Sequence, residues 1–297
     1  MLHPMRRLVE KAHAAAMRRC RVWQATAYAI RPRAEARVAF RKSGRRGYRI
    51  LDEHALRATR RSDTVFILGS GYSINDLTPE ECAHFEQHDT LAFNFFAHSQ
   101  LLRVDYHLVR EIAESDRRRD VWEPRIREYF ELIRGNPAYR DTVLLLQEGL
   151  RAVNSNRAFE LGVVPRDKRL FLWRTAYGRR ELGRSFAEGL SHPDATIEEC
   201  INLAYLLGWT TIVLVGFDLY DNRYFWLDYE QARYPHLSGE GNHRLPHPTG
   251  PGVLRTIADW RAVLGASGVT LAVYNPRSLA AQVLPVYERP RAGVGER

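Results

Sequence analysis

Short apolar runs alternate with longer amphipathic stretches from residue 64 onward. The runs lie at residues 64–68, 90–94, 106–109, 142–146, 169–173, 211–215 and 270–273, and several are apolar at nearly every position. Continuous apolar strands are typical of a parallel sheet that is covered on both faces. The stretches 115–134, 197–207 and 253–264 predict helices. The pattern therefore predicts an α/β, Rossmann-like fold, a mostly parallel sheet with helices on both faces and right-handed crossovers.

Residues 150–195 interrupt this alternation. They are rich in Arg, Asn and Gly and contain one of the predicted strands. We expect an insertion there, which either forms a lid or acceptor wall or is an ordinary surface excursion.

The positive charge is concentrated at the N-terminus. Residues 1–61 hold 17 Lys and Arg against four Asp and Glu, a net charge of +13, whereas the whole chain carries +9 and residues 62–297 therefore carry −4. We expect a basic helical arm at 1–61 and one α/β domain at 62–297. Apolar residues are spaced along 5–30 as on a helical face, so the arm could lie on an anionic membrane surface. The alternatives are packing on the domain or a partner, and a disordered tail.

Composition narrows the class of protein further. A hydrophobic fraction of 45% and a charged fraction of 27% are those of a globular protein. The three cysteines are scattered, which predicts neither a disulfide framework nor a cysteine zinc site and favours a reducing cytoplasm.

No apolar run reaches the length of about 18 residues that a membrane span needs. The acidic main domain argues against specific nucleic-acid binding. We expect a cytoplasmic protein that could attach peripherally to the inner membrane.

The first predicted strand runs into a turn that could face a phosphate. Gly69, Ser70 and Gly71 follow the strand, and such glycines let the backbone approach a ligand at the start of the next helix. The dinucleotide fingerprint needs a third glycine, and the second strand ends in Asn94 where a dehydrogenase would present an acid to the ribose. An amide can both donate and accept, so Asn94 suits a nucleobase edge or a ribose. The alternative is a turn residue at a strand end.

A second group of polar residues follows the strand at 211–215. The segment 216–220 reads Gly-Phe-Asp-Leu-Tyr, and His243 and His247 follow in a polar loop. Prolines around His247 oppose the regular helix that a zinc His-x-x-x-His site needs, so we expect no metal site. We expect Asp218 to brace the strand end. Tyr220 and Tyr224 are candidate phosphate ligands, and the alternative for the histidines and phenols is an ordinary surface or core role.

Several of these segments, in this order, resemble one enzyme family. They are Gly-x-Gly after the first strand, Asn94 after the second, a hydroxyl at Thr196, Gly-Phe-Asp-Leu-Tyr at 216–220, His-x-x-x-His at 243–247 and Asn-Pro-x-Ser-Leu at 275–279. The set resembles the bacterial sialyltransferases of glycosyltransferase family 42 over residues 64–285. It is also similar to the related domain of flagellar motility accessory factors and to archaeal pterin pyrophosphokinases.

This resemblance implies a role for each matching residue. It makes His247 the general base toward the acceptor hydroxyl, with Tyr220 and Tyr224 on the departing phosphate. Asn94 and Thr196 would hold the nucleotide, together with the turn Gly69–Ser70–Gly71 and Arg110. Ser70 and Arg110 stand where the family carries asparagines. A neutral imidazole with an ordinary pKa near ~6.5 can accept a proton at neutral pH, which agrees with that role independently.

The resemblance thus implies a metal-independent, inverting glycosyltransferase with no cofactor. Its donor would be a CMP-linked sialic, other nonulosonic or Kdo-type sugar acid, and its acceptor a cell-surface glycan or a lipid-linked saccharide. A pyrophosphokinase-like nucleotide enzyme and a non-catalytic envelope or partner-binding module are the alternatives. Arg110 and Arg277 could bind a donor carboxylate or phosphate, or serve in salt bridges.

Overall fold

The computed structural model describes residues 47–110, 112, 119–149, 151–221, 223–227 and 250–289. Within these residues, eight strands form one sheet in which every pair of neighbours runs parallel. Numbered along the chain, the strands lie side by side in the order β1 (Arg49–Ile50), β6 (Arg169–Trp173), β5 (Val143–Gln147), β4 (Tyr106–Val109), β3 (Asp89–Phe93), β2 (Thr64–Leu68), β9 (Thr211–Val215) and β10 (Thr270–Val273). The chain therefore builds outward from β2 to β6 and then returns to the other side of β2. The predicted parallel α/β sheet is confirmed.

The strands of this sheet are short. They are β1 (Arg49–Ile50), β2 (Thr64–Leu68), β3 (Asp89–Phe93), β4 (Tyr106–Val109), β5 (Val143–Gln147), β6 (Arg169–Trp173), β9 (Thr211–Val215) and β10 (Thr270–Val273). A separate two-stranded parallel sheet pairs β7 (Thr175–Tyr177) with β8 (Leu190–His192). β3 and β5 each lie one residue from their predicted position.

Helices cover the sheet on both faces. They are α1 (Glu53–Arg57), α2 (Pro79–Glu86), α3 (Arg119–Gly135), α4 (Val153–Glu160), α5 (Thr196–Leu207) and α6 (Gly250–Ala266). α1, α5 and α6 contribute to the core on one face, and α2, α3 and α4 to the core on the other. This confirms the prediction of a sheet that is covered on both sides.

The two faces are visible along a single strand. In β2, Val65 and Ile67 belong to the core with α5, whereas Phe66 and Leu68 belong to the core with α2, and all four are fully buried. Burying an apolar side chain of this size stabilises a fold by about 1.5–3 kcal/mol. A strand with no polar face can exist only between two helical layers, which is why the apolar run predicted the architecture.

The expected insertion at 150–195 contains more regular structure than its sequence predicts. α4 and β6 belong to the main fold, and β7 and β8 form the small sheet after it. Strands of three residues are too short for a periodic pattern, so the sequence does not reveal them.

The end of the predicted basic arm packs on the domain. Arg49 and Ile50 pair with Arg169 and Leu170 of β6, and Leu56 of α1 is fully buried. Residues 1–46 lie outside the described residues, and so does the membrane-facing role predicted for them. In the part of the chain that the structure describes, no helix is long and apolar enough to cross a bilayer.

Candidate active site

A cavity of about 300 Å³ lies where β2, β3, β9 and the start of α5 come together. Its walls include Ser70 after β2, Asn94 after β3, Asp218 after β9 and Thr196 at the start of α5. β3 and β9 lie on opposite sides of β2, so this is the point where the strand order reverses. Ligands of parallel α/β sheets bind at such a point, outside the carboxyl ends of the strands.

The two glycines after β2 pack directly against the turn after β9. The N–H of Gly69 donates to the Val215 carbonyl at 2.8 Å, and the N–H of Gly71 to the Gly216 carbonyl at 2.8 Å. A Cβ atom at Gly69 would lie 2.5 Å from the Gly216 carbonyl oxygen, and one at Gly71 would lie 2.6 Å from Asp218 Oδ2. Contact between the two turns therefore requires glycine at both positions. A role in phosphate binding remains a prediction, and of the three turn residues Ser70 and Gly71 line the cavity.

Asp218 joins three segments beneath the cavity. Its buried carboxylate accepts hydrogen bonds from the Ser73 N–H at 2.9 Å and the Ser73 hydroxyl at 2.5 Å. It also accepts one from Asn275 Nδ2 at 3.1 Å. The Asp218 carboxylate thus accepts a backbone N–H at the start of the 3₁₀ turn Tyr72–Asp76, which follows the two glycines. The prediction that Asp218 braces the strand end is confirmed.

Asn94 and Thr196 meet in the cavity wall. Asn94 Nδ2 lies 3.3 Å from Thr196 Oγ1, and Asn94 Oδ1 accepts the N–H of Arg110 at 3.2 Å. Because a backbone N–H can only donate, this second bond fixes which end of the amide is the oxygen. Asn94 has a φ of +46°, in the left-handed region that residues other than glycine adopt uncommonly. The structure therefore brings the predicted pair together where the end of β3 meets the start of α5.

The start of α5 holds Thr196 in place. Glu198, which is fully buried, accepts the N–H groups of Asp194 at 2.7 Å and Ala195 at 2.8 Å. Burial raises the pKa of Glu198, while these two hydrogen bonds oppose the rise. At its other end the helix stops at Gly208, which has a φ of +88°. The helix is thus fixed at both ends, with its first turn in the cavity wall.

The Arg110 guanidinium lies against a buried carboxylate. Arg110 Nε is 3.2 Å from Glu199 Oε2, and the Thr175 hydroxyl donates to Glu199 Oε1 at 2.8 Å. His192 Nδ1 is 3.5 Å from the same carboxylate, and burial, with a contribution from Arg110, lowers the pKa of His192 to about 4. Arg110 therefore supports the cavity through its N–H to Asn94, and its predicted contact with the nucleotide remains a prediction.

The two candidate tyrosines have different surroundings. Tyr224 lines the cavity and stacks on Trp226 with 4.5 Å between ring centroids. The N–H of Phe225 donates to the Ser70 carbonyl at 3.2 Å, which ties this segment to the glycine turn. Tyr220 is half-buried and hydrogen-bonded to Asn275; burial and then the charge of Asp218 raise its pKa. Only Tyr224 of the two is among the described residues that line the cavity.

Arg223 is a wall residue that sequence reasoning missed. Its guanidinium makes three contacts with Asp221: Nε lies 2.9 Å from Oδ1 and 2.9 Å from Oδ2, and Nη2 lies 2.7 Å from Oδ2. It also lies 3.7 Å from the centre of the Tyr72 ring, a cation–π contact. Arg223 and Asp221 both line the cavity. Their spacing in the sequence is that of an ordinary surface ion pair, so it gave no signal.

His243 and His247 lie outside the described residues, so the predicted general base has no described position. Among the residues that the structure describes, no group of three or more His, Cys, Asp or Glu could hold a metal ion.

Comparison with known proteins gives structural neighbours. No protein-family model and no curated protein sequence matches the chain. Among solved structures, it is similar to the sialyltransferase Cst-II in complex with CMP, with 14% identity and a TM-score of 0.45, over 76% of this chain and 86% of that one. It is also similar to the monofunctional α-2,3-sialyltransferase Cst-I from Campylobacter jejuni, with 13% identity and a TM-score of 0.43, over 75% and 80%. Both neighbours are sialyltransferases.

Proposed function

We propose that this chain is a glycosyltransferase that uses a CMP-linked sugar acid as its donor. The observation that carries the proposal is the Asn94–Thr196 pair in a cavity at the reversal point of a parallel sheet. The sequence motifs that resemble family 42 sialyltransferases name the same two residues as nucleotide ligands. The cavity lies where ligands of parallel sheets bind, and it contains the two residues that the resemblance implies. Both points support a nucleotide donor.

The chemistry of the cavity wall suits such a donor. The oriented amide of Asn94 offers a donor on the Thr196 side, and the Thr196 hydroxyl can donate as well as accept. Phe95 and Tyr224 add aromatic surface, on which a base or sugar ring can pack. Arg223 also lines the cavity, where its guanidinium is paired with Asp221. The hydrogen-bonding pair and the aromatic surface are the two features that suit a nucleotide-linked sugar.

In the proposed reaction the acceptor hydroxyl oxygen forms a bond to the anomeric carbon of the sugar acid. The bond from that carbon to the phosphate oxygen breaks, and CMP leaves with its electron pair. The hydroxyl proton passes to His247, and attack opposite the leaving group inverts the anomeric centre. Tyr224, which lines the cavity, would donate a hydrogen bond to the departing phosphate, so the reaction needs no divalent metal. The acceptor would be a cell-surface glycan or a lipid-linked saccharide.

Residues 1–46 would bring the enzyme to that acceptor. They hold 13 Lys and Arg against two acidic residues. Basic residues near an anionic leaflet contribute about 1 kcal/mol each. We propose peripheral attachment to the inner membrane. Removing residues 1–46, which spares β1 and α1, should abolish co-sedimentation with anionic liposomes and leave CMP affinity unchanged. If full-length protein does not co-sediment with such liposomes at low salt, the proposed attachment is refuted.

Calorimetric titration with CMP, UDP and ATP, each with EDTA or with Mg²⁺, tests the donor. We expect CMP to bind in EDTA. Thr196→Val should weaken CMP binding about tenfold, because one lost hydrogen bond costs about 1.4 kcal/mol. Thr142→Val is the matched control, since its buried hydroxyl donates to the Val104 carbonyl at 2.6 Å, at the start of β5. Binding of ATP with Mg²⁺ and none of CMP would favour the pyrophosphokinase alternative. Binding of no nucleotide would favour the non-catalytic module.

A further inference from the structure

Three buried aromatic side chains form a chain of hydrogen bonds behind Asn94. His107 Nε2 lies 2.7 Å from the Tyr129 hydroxyl, and His107 Nδ1 lies 3.0 Å from the Tyr139 hydroxyl. The Tyr129 hydroxyl in turn lies 2.8 Å from the carbonyl oxygen of Asn94. His107 and Tyr139 are fully buried, and Tyr129 is nearly so. A polar path thus leads from the core between β4 and α3 to the cavity wall.

The donors and acceptors along this path can be assigned. A carbonyl oxygen only accepts, so Tyr129 donates its proton to Asn94. The Tyr129 oxygen then accepts from His107 Nε2–H, and His107 Nδ1 accepts from the Tyr139 hydroxyl. Burial lowers the pKa of His107 to about 3, against a smaller opposing effect of the Asn94 backbone, so the ring is neutral at pH 7. A neutral imidazole has one donor and one acceptor nitrogen, which is what this assignment requires.

Asn94 is the residue that needs such support. Its backbone has a φ of +46°, in the left-handed region that asparagine adopts more readily than other residues except glycine, but less readily than the extended or helical regions. Its carbonyl is bound by Tyr129, its Oδ1 by the Arg110 N–H and its Nδ2 by Thr196. The first of these bonds holds the backbone, and the other two hold the side chain.

We propose that Tyr129 and His107 are positioning residues, which hold Asn94 in the conformation that presents its amide to the cavity beside Thr196. The effect on nucleotide binding rests on the proposed function. The effect on the geometry of Asn94 does not.

Tyr129→Phe tests the proposal, because it removes the hydroxyl and keeps the ring. Tyr106→Phe is the matched control. Tyr106 precedes His107 in β4, is equally buried, and has its hydroxyl 2.8 Å from Thr59 Oγ1. Tyr129→Phe removes two buried hydrogen bonds, to the Asn94 carbonyl and from His107, whereas Tyr106→Phe removes one part-buried bond to Thr59, so Tyr129→Phe should lose more stability. Only Tyr129→Phe should affect Asn94.

Two measurements separate geometry from function. The first is hydrogen exchange of the Arg110 amide in nucleotide-free protein, since that N–H is bound to Asn94 Oδ1. We expect exchange in Tyr129→Phe at least tenfold faster than in Tyr106→Phe. The second is the CMP dissociation constant, which we expect to rise at least fivefold in Tyr129→Phe and to stay unchanged in Tyr106→Phe.

Equal Arg110 exchange in the two variants overturns the positioning role. Faster exchange with unchanged CMP affinity overturns the link to the nucleotide. If the wild-type protein binds no CMP, the proposed function falls, and the exchange comparison still decides the role of Tyr129. Should Tyr129→Phe not fold, Tyr139→Phe breaks the path one step further from Asn94, and the same comparison with Tyr106→Phe decides.

Discussion

The burial of His107 makes the stability of this protein depend on pH in a predictable direction. The ring has a pKa of about 3 in the folded protein, because burial disfavours its charged form. An unfolded histidine has a pKa near ~6.5. Since the folded-state value is the lower one, the stabilisation is fully present above pH 6.5. It is lost as the pH falls toward 3, because the unfolded chain gains a proton that the folded protein cannot accept.

The size of the effect follows from the two pKa values. Between pH 6.5 and the folded-state value, one group of this kind changes the free energy of unfolding by about 1.4 kcal/mol per pH unit. From pH 7 to pH 5 the loss is therefore about 2 kcal/mol. His192, with its pKa lowered to about 4 mainly by burial, adds a loss in the same direction. Comparison with a His107 variant separates the two contributions.

Urea unfolding of the wild-type protein and of His107→Gln, followed by circular dichroism at pH 7, 6 and 5 and constant ionic strength, measures this contribution. Glutamine does not titrate and can both donate and accept. The variant should be less stable at pH 7, and the difference between the two proteins should shrink by about 2 kcal/mol at pH 5. His192 and the carboxylates are common to both proteins and cancel in the difference. A difference that stays constant from pH 7 to pH 5 would show that the buried ring does not stay neutral.

Two pairs of substitutions test packing and charge. Gly71→Ala should lower the free energy of unfolding by about 1–3 kcal/mol, because its Cβ would meet Asp218 and the Gly216 carbonyl. Gly265→Ala in α6, whose Cβ would meet nothing within 4 Å, should raise it by about 0.5–1 kcal/mol; urea unfolding that gives both changes the same sign contradicts this. Glu199→Ala should cost about 3–5 kcal/mol, because it leaves the Arg110 guanidinium without its buried carboxylate. Glu53→Ala, which breaks an exposed pair in α1, should cost under about 1 kcal/mol, and similar losses for the two would refute the argument.

The sheet could be predicted because its strands carry no polar face. Runs such as 64–68 and 211–215 are apolar at successive positions, and the structure buries alternate residues in two different cores. The presence of these strands and the α/β class of the fold can be predicted from the apolar runs alone. The order of the strands does not, because any two apolar strands of this length could pair. The strands β7 and β8 could not be predicted, because a strand of three residues is too short to show a periodic pattern.

Part of the candidate site could be predicted for a similar reason. Parallel strands end at one edge of a sheet, so residues that follow different strands in the sequence, such as Asn94 and Asp218, must lie near one another. That rule does not predict ion pairs between residues that lie far apart in the sequence. Arg110 follows β4 and meets Glu199 in the first turn of α5, and the sequence does not predict how a strand end and a distant helix are placed relative to each other.

The glycines after β2 show why a motif and its structural cause need to be separated. β2 and β9 are adjacent, so the turns that follow them come within hydrogen-bonding distance, and a side chain on either glycine would enter that contact. This packing requires Gly-x-Gly whether or not a phosphate binds. No such close contact requires Asn94 or Thr196, and the structural role of the Asn94 amide is its hydrogen bond from the Arg110 N–H. The pair of polar side chains, not the pair of glycines, therefore carries the argument for a nucleotide.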